Sequence, residues 1–235
     1  MTQPSTNGGT PASSGRTPAQ GNRLDPWYDV YADRAHNLRA SEIRALFSVV
    51  SRPEVVSLAG GMPNLKDLPL DKLAASADKL IRNHGAQAMQ YGSGQGWEVL
   101  RERITEVMGY DGIVGADPDD VVVTTGSQQA LDLVTELFVN PGDVILAEAP
   151  SYVGALGVFR ARQADVVHVA MDEHGIIPEA LVETIRDVRA SGRTIKFIYI
   201  IPNYHNPAGV TLSAERRPII AEICLREHVL IVEDN

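Results

Sequence analysis

The sequence predicts an α/β domain in which a mostly parallel β-sheet is flanked by helices. Three observations lead there. From residue 121 onward, short runs rich in valine and isoleucine alternate with longer amphipathic stretches, the order expected of βα units. The last two runs, 195–201 and 229–234, each end in a polar cluster and are separated by a helical segment. Parallel strands would carry both clusters to one sheet edge, where α/β domains bind ligands. The chain has 235 residues, 44% of them hydrophobic and 22% charged, enough apolar material to cover both faces of such a sheet.

The elements follow in order. Residues 1–25 are dominated by Gly, Ser, Thr, Pro and Gln, with no large apolar side chain between Met1 and Leu24. Such a segment buries too little to offset its ordering entropy and reads as a disordered tail. Residues 26–58 read as an N-terminal arm or small-domain segment. In it, 41–50 places Ile43, Leu46, Phe47 and Val50 on one helical face, with Ser41 as N-cap and Arg44 pointing away. A short strand over 55–59 ends in a turn at Gly60 and Gly61. Residues 59–235 read as one large domain. A helix is expected over 70–83, and the turn 91–96 opens another with Trp97, Leu100, Ile104 and Val107 as its core face. Strands are then expected over 121–125, 144–147, 166–169, 195–201 and 229–234. Helices between them cover 127–139, 152–162, 178–190 and 214–227, the third opened by Pro178.

Charge and composition exclude several functions. A net charge of −9 disfavours nucleic acid and anionic membrane surfaces, which both need a basic patch. No apolar run is long enough for a membrane span, and the start of the chain lacks the apolar centre of a secretory signal. The single cysteine, Cys224, excludes an internal disulfide and reads as a buried hydrophobe. The six histidines show no paired metal spacing, so no metal site is expected.

Four stretches could carry chemistry. Gly126 permits a sharp turn between the strand 121–125 and the helix that Ser127 opens. Free N–H groups and the positive end of a helix dipole would meet the sheet edge there. That is a ready phosphate site with the Ser127 hydroxyl and the Gln128 amide as further donors; plain N-capping by Ser127 accounts for the same residues. Gly92, Gly94 and Gly96 imitate a dinucleotide loop, but no strong strand precedes them. Tyr152, just after the strand 144–147, brings a ring to the edge, either to stack on a flat cofactor or to pack inward. Pro202 and Pro207 stiffen the loop that presents the Asn206 amide. Asp234 closes a buried strand, where a carboxylate is costly unless paired. Alone it could cap a helix or bind a metal. Beside a phosphate site, a ring and an amide, it better suits a cationic heteroaromatic partner.

Together these residues resemble the fold-type I pyridoxal-phosphate-dependent aminotransferases of class I/II over residues 40–235. The likeness is strongest to the branch of 2-aminoadipate and kynurenine aminotransferases, through the segments 40–46, 57–63 and 126–130. The resemblance implies the large domain of the pyridoxal-phosphate transferases, incomplete at its C-terminal end, and pyridoxal 5'-phosphate as cofactor. It implies Gly126, Ser127 and Gln128 on the phosphate and Tyr152 on the ring face. Asn206 would meet the 3-hydroxyl oxygen, and Asp234 the protonated ring nitrogen. Tyr91 would reach the phosphate of the neighbouring subunit in a homodimer. Gly61 would lie at the substrate carboxylate and Arg44 near acidic substrate side chains, unless Arg44 is simply an exposed helix residue. The implied activity is transfer of an amino group between an amino acid and a 2-oxo acid in the cytoplasm. Other α-carbon chemistry, such as β-elimination or decarboxylation, and a non-catalytic sensor or partner module are the alternatives.

The family's Schiff-base lysine is expected a few dozen residues after Asp234, past Asn235. No lysine of this chain has the family's context, and Lys196 begins a strand at the opposite edge. The expectation is a piece of a longer enzyme that does not transaminate alone.

Overall fold

The computed structural model describes residues 25–36, 54–56 and 65–235. The helix expected over 41–50, the turn at Gly60 and Gly61, and the residue Arg44 lie outside the described residues. Residues 1–38 and 39–235 form two compact units. In the first, a 3-10 turn Tyr28–Val30 precedes the short helix α1 (Asp33–His36), and the Tyr28 and His36 rings lie 4.7 Å apart.

In the second unit β1 (Val144–Ala149), β2 (Asp165–Asp172), β3 (Gly175–Ile176), β4 (Ile195–Ile200) and β5 (Leu230–Glu233) form one sheet in the order β3-β2-β1-β4-β5. β1 runs parallel to β2 and β4, and β4 to β5; β3 turns back antiparallel to β2. The helices are α2 (Leu70–Ala88), α3 (Glu98–Tyr110), α4 (Ser127–Phe138), α5 (Val153–Ala161), α6 (Pro178–Ala190) and α7 (Arg216–Arg226).

Alternation along the central strands builds both cores. Val144 and Leu146 of β1 join Ile198 and Ile200 of β4 beneath α6 and α7, through Leu181, Ile185, Val188, Ile220 and Ile223. Ile145 and Ala147, with Phe197 and Tyr199, face α4 and α5 through Leu131, Ala155, Val158 and Phe159. The α/β reading holds, with helices on both faces. Cys224 is buried in the first core, and burial pushes its thiol up to about 11, as a small hydrophobe requires. Phe159 stands edge-on to Phe197 at 5.8 Å and to Tyr199 at 5.5 Å. Phe159→Ala should therefore lower the unfolding free energy by about 3–5 kcal/mol. A denaturant midpoint shifted down with an unchanged slope would show it, and an unshifted midpoint would refute it.

The structure departs from the sequence reading in three places. Residues 121–124 carry no strand pairing, although Val121 is extended at φ −98°, ψ 127°. Val123 N–H donates to Gln95 O at 2.8 Å. Propensity sets the local conformation, but a strand also needs a neighbour's ladder, and no described strand lies beside it. The expected core face of α3 is open, with Trp97, Leu100 and Val107 exposed. Periodicity says which face seeks burial, not what buries it. Last, β3 went unread because two residues carry no period. Arg216 secures it, with Nη1 and Nη2 on the two Asp172 oxygens at 2.6 and 2.8 Å and Nη1 on Gly175 O at 2.9 Å. That guanidinium, with the His174 N–H, holds Asp172 down at about 2.

Candidate active site

The parallel strands end together, and the loops that leave β1, β4 and β5 carry three of the expected residues. Tyr152 caps α5 just after β1. Its ring folds over Gly154, where a Cβ would come within 2.4 Å of the ring, so a larger residue there would displace the ring from this position. Asn206 lies in the loop after β4. Its side-chain amide is exposed and takes no hydrogen bond from the described residues. Asp234 follows β5 directly. Its N–H donates to Ile200 O at 2.9 Å, which holds the half-buried carboxylate at the strand end.

Tyr199 orients that carboxylate. Its buried hydroxyl donates to Asp234 Oδ2 at 2.5 Å. Burial, and then the hydrogen bond to Asp234, raise the Tyr199 phenol well above its ordinary value, so it stays a donor. Asp234 Oδ1 takes no hydrogen bond from the described residues and keeps its lone pairs for a partner. The sequence reading missed Tyr199 because a tyrosine in a buried strand looks like any core aromatic.

The start of α4 is open. Gly126 is its N-cap at φ 88°, ψ 167° and makes no side-chain cap. That conformation belongs almost exclusively to glycine, and a Cβ there would meet nothing within 4 Å. Any other residue would therefore strain the backbone rather than clash. Ser127 is the first helical residue, not the cap. The N–H groups of Ser127 and Gln128 have no partner among the described residues, whereas Gln129 and Ala130 donate to Gly126 O. The Gln128 amide donates to Gly154 O at 3.4 Å, which ties α4 to the start of α5. Gln129 shapes the turn from inside, as its Oε1 accepts from Thr125 N at 2.7 Å and Thr125 Oγ1 at 2.8 Å.

Two buried polar groups stand behind this edge. Glu148 in β1 accepts from Ile201 N–H at 2.8 Å, and burial pushes its carboxyl up to about 7. His205 lies against it and is lowered by burial. The sequence reading passed over Glu148; a lone acid at the end of the apolar run 144–147 is the signal that marks it.

The remaining expectations fall elsewhere. Tyr91 is fully exposed and lines a cavity of about 530 Å³ with Leu80, Trp97 and Arg101; none of the other candidates among the described residues lines it. Gly61 and Arg44 lie outside the described residues. Lys196 pairs with Asp143 at 3.2 Å at the amino edge of the sheet, opposite the site. No cluster of metal-ligating residues occurs among the described residues, and none of their helices is long and apolar enough to cross a membrane.

Residues 53–235 match the family described as aminotransferase class I and II. An aromatic-amino-acid aminotransferase of Thermococcus litoralis is 37% identical over 205 residues, which cover 87% of this chain and 49% of the relative. The crystal structure of a Pyrococcus horikoshii kynurenine aminotransferase, solved with PMP, KYN and KYA, superposes with a TM-score of 0.83 at 33% identity, covering 91% of this chain and 52% of that one. An α-aminoadipate aminotransferase of Thermus thermophilus, solved with N-(5'-phosphopyridoxyl)-L-leucine, gives 0.75 at 32% identity, with 89% and 50% covered. The chain spans about half the length of the curated relatives it matches.

Proposed function

Because the chain belongs to the aminotransferase class I and II family, we propose that its sheet edge holds pyridoxal 5'-phosphate and serves transamination between an amino acid and a 2-oxo acid. The donor set fits that group. Unpartnered N–H groups at the start of α4, with open space at Gly126, suit a phosphate dianion. The Asn206 amide suits a phenolic oxygen, and the free Oδ1 of Asp234 suits a protonated ring nitrogen. Tyr152 supplies an aromatic face. The cofactor, when bound, supplies an electron sink for the substrate α-carbon.

This chain's residues prepare that chemistry. Ser127 and Gln128 would anchor the phosphate through their backbone N–H groups and the Ser127 hydroxyl. Asp234 would keep a proton on the ring nitrogen, because a carboxylate beside a cation favours its charged form. Tyr199 holds Asp234 Oδ2, so that Oδ1 is presented without side-chain searching. Tyr152 would cover the ring face against water. In the same reading Tyr91 serves the site of a second subunit in a homodimer, Gly61 and Arg44 face the substrate, and the enzyme works in the cytoplasm. Residues 1–25 form a tail, 26–58 an arm, and 59–235 the first part of the cofactor-binding domain.

The observation that carries this reading is the Tyr199–Asp234 bond at the edge shared with Asn206 and the open start of α4. Pyridoxamine 5'-phosphate tests it, since its amine needs no covalent attachment to the protein. Titrated into the 235-residue chain and followed by its own fluorescence, it should bind saturably at one site. Linear, unsaturable signal up to millimolar concentration would overturn the reading.

A further inference from the structure

Glu148 and His205 are 1% and 2% exposed, stand beside the site, and have no part in the chemistry above. We propose that they form a buried clasp that holds the turn carrying Asn206 against the carboxyl end of β1, and so act as positioning residues. Their effect on the cofactor rests on the functional reading above; the clasp itself does not.

The geometry joins three parts of the chain. Glu148 Oε2 accepts from Ile201 N–H at 2.8 Å, just past β4. The same oxygen lies 3.1 Å from His205 Nε2. Nε2 is buried and makes no aligned hydrogen bond; the contact is a close polar approach in which the ring nitrogen faces the carboxyl group. Ala208 N–H donates to His205 Nδ1 at 3.3 Å. Nδ1 therefore carries the lone pair, and in the neutral ring the proton sits on Nε2, facing the carboxyl group. Because Oε2 accepts from Ile201 N–H and faces His205 Nε2, any carboxylic proton resides on Oε1, so the clasp needs no particular charge on Glu148.

His205 also closes the turn through its backbone. Its N–H donates to Val210 O at 2.8 Å, and its carbonyl accepts from Gly209 N–H at 2.5 Å. One residue thus contacts Ala208, Gly209 and Val210 while its ring is seated on β1. The exposed Asn206 side chain has no described hydrogen bond of its own. Its position is set by the backbone of this turn, and the turn by the clasp.

Two measurements on the full 235-residue chain test this. In the unsubstituted protein, long-range proton–nitrogen NMR correlations should show His205 as the neutral Nε2–H tautomer; the Nδ1–H tautomer would overturn the clasp. In Glu148→Ala, the Ala208 and Gly209 amides should exchange with solvent at least ~10-fold faster, while Leu146 and Ile198 keep their protection. Glu148→Gln, which retains an acceptor oxygen, should restore most of the difference. Pyridoxamine phosphate affinity should fall in Glu148→Ala and recover in Glu148→Gln. Unchanged exchange at Ala208 and Gly209, or a uniform loss of protection that Glu148→Gln does not reverse, would overturn the proposal. If Glu148→Ala does not fold, the tautomer decides alone. The predicted tautomer and exchange pattern in a chain that binds no pyridoxamine phosphate would uphold the clasp and remove only the functional reading.

Discussion

Asp234→Ala should weaken pyridoxamine phosphate binding by about 10- to 150-fold, the loss of a charge-assisted hydrogen bond of about 1.5–3 kcal/mol. The size follows from preorganisation. The carboxylate is fixed at the end of β5 by the Asp234 N–H bond to Ile200 O and by the Tyr199 hydroxyl on Oδ2. Little side-chain entropy is left to lose when Oδ1 takes a partner. Alanine also strands the buried Tyr199 hydroxyl, at a stability cost of about 1–3 kcal/mol. Asp234→Asn separates the two effects, because an amide oxygen can still accept from Tyr199 while the negative charge is gone. It should fold with near-normal stability and still bind weakly. Wild-type affinity in Asp234→Asn would show that the charge is irrelevant and end the proposed role.

The second large effect is a pH dependence that belongs to Glu148. Burial raises its carboxyl from 4.5 to about 7 in the folded chain. Ionisation is therefore harder in the folded than in the unfolded state. The stability from this group is fully present below pH 4.5 and is lost as the pH rises through about 7. The difference between the two values corresponds to roughly 3 kcal/mol. His205 is displaced in the opposite direction, lowered by burial, so it destabilises the fold as the pH falls and masks part of the trend. Glu148→Gln isolates the carboxyl group. Relative to that variant, the wild-type chain should lose stability steadily between about pH 4.5 and 8 in denaturant titrations. A pH-independent difference would mean that Glu148 ionises as freely folded as unfolded.

Much of the α/β layout follows from patterns that act over a few residues. The short β-branched runs at 144–149 and 195–200 became the centre of the sheet, and the polar clusters after them reached one edge. Parallel strands joined by helices leave their loops nowhere else. The tight turn at Gly126 was legible for the same local reason, as was the burial of Cys224 in the α7 stripe. The family resemblance drew on these stretches, and they account for Gly126, Tyr152, Asn206 and Asp234 as candidates.

What the tertiary structure decided is who partners whom. Tyr199 and Asp234 are 35 residues apart, Glu148 and Ile201 are 53 apart, and Gln128 and Gly154 are 26 apart. No local period encodes these pairs. The first two exist because strand register places β4 between β1 and β5, and a register shift of one residue would turn the Tyr199 and Glu148 side chains to the other face; the third exists because α4 and α5 pack side by side on that sheet. The same reason explains the two expectations that failed. The run 121–125 and the apolar face of α3 carry the local signature of burial, but burial is a relation between two surfaces, and only folding in three dimensions supplies the second.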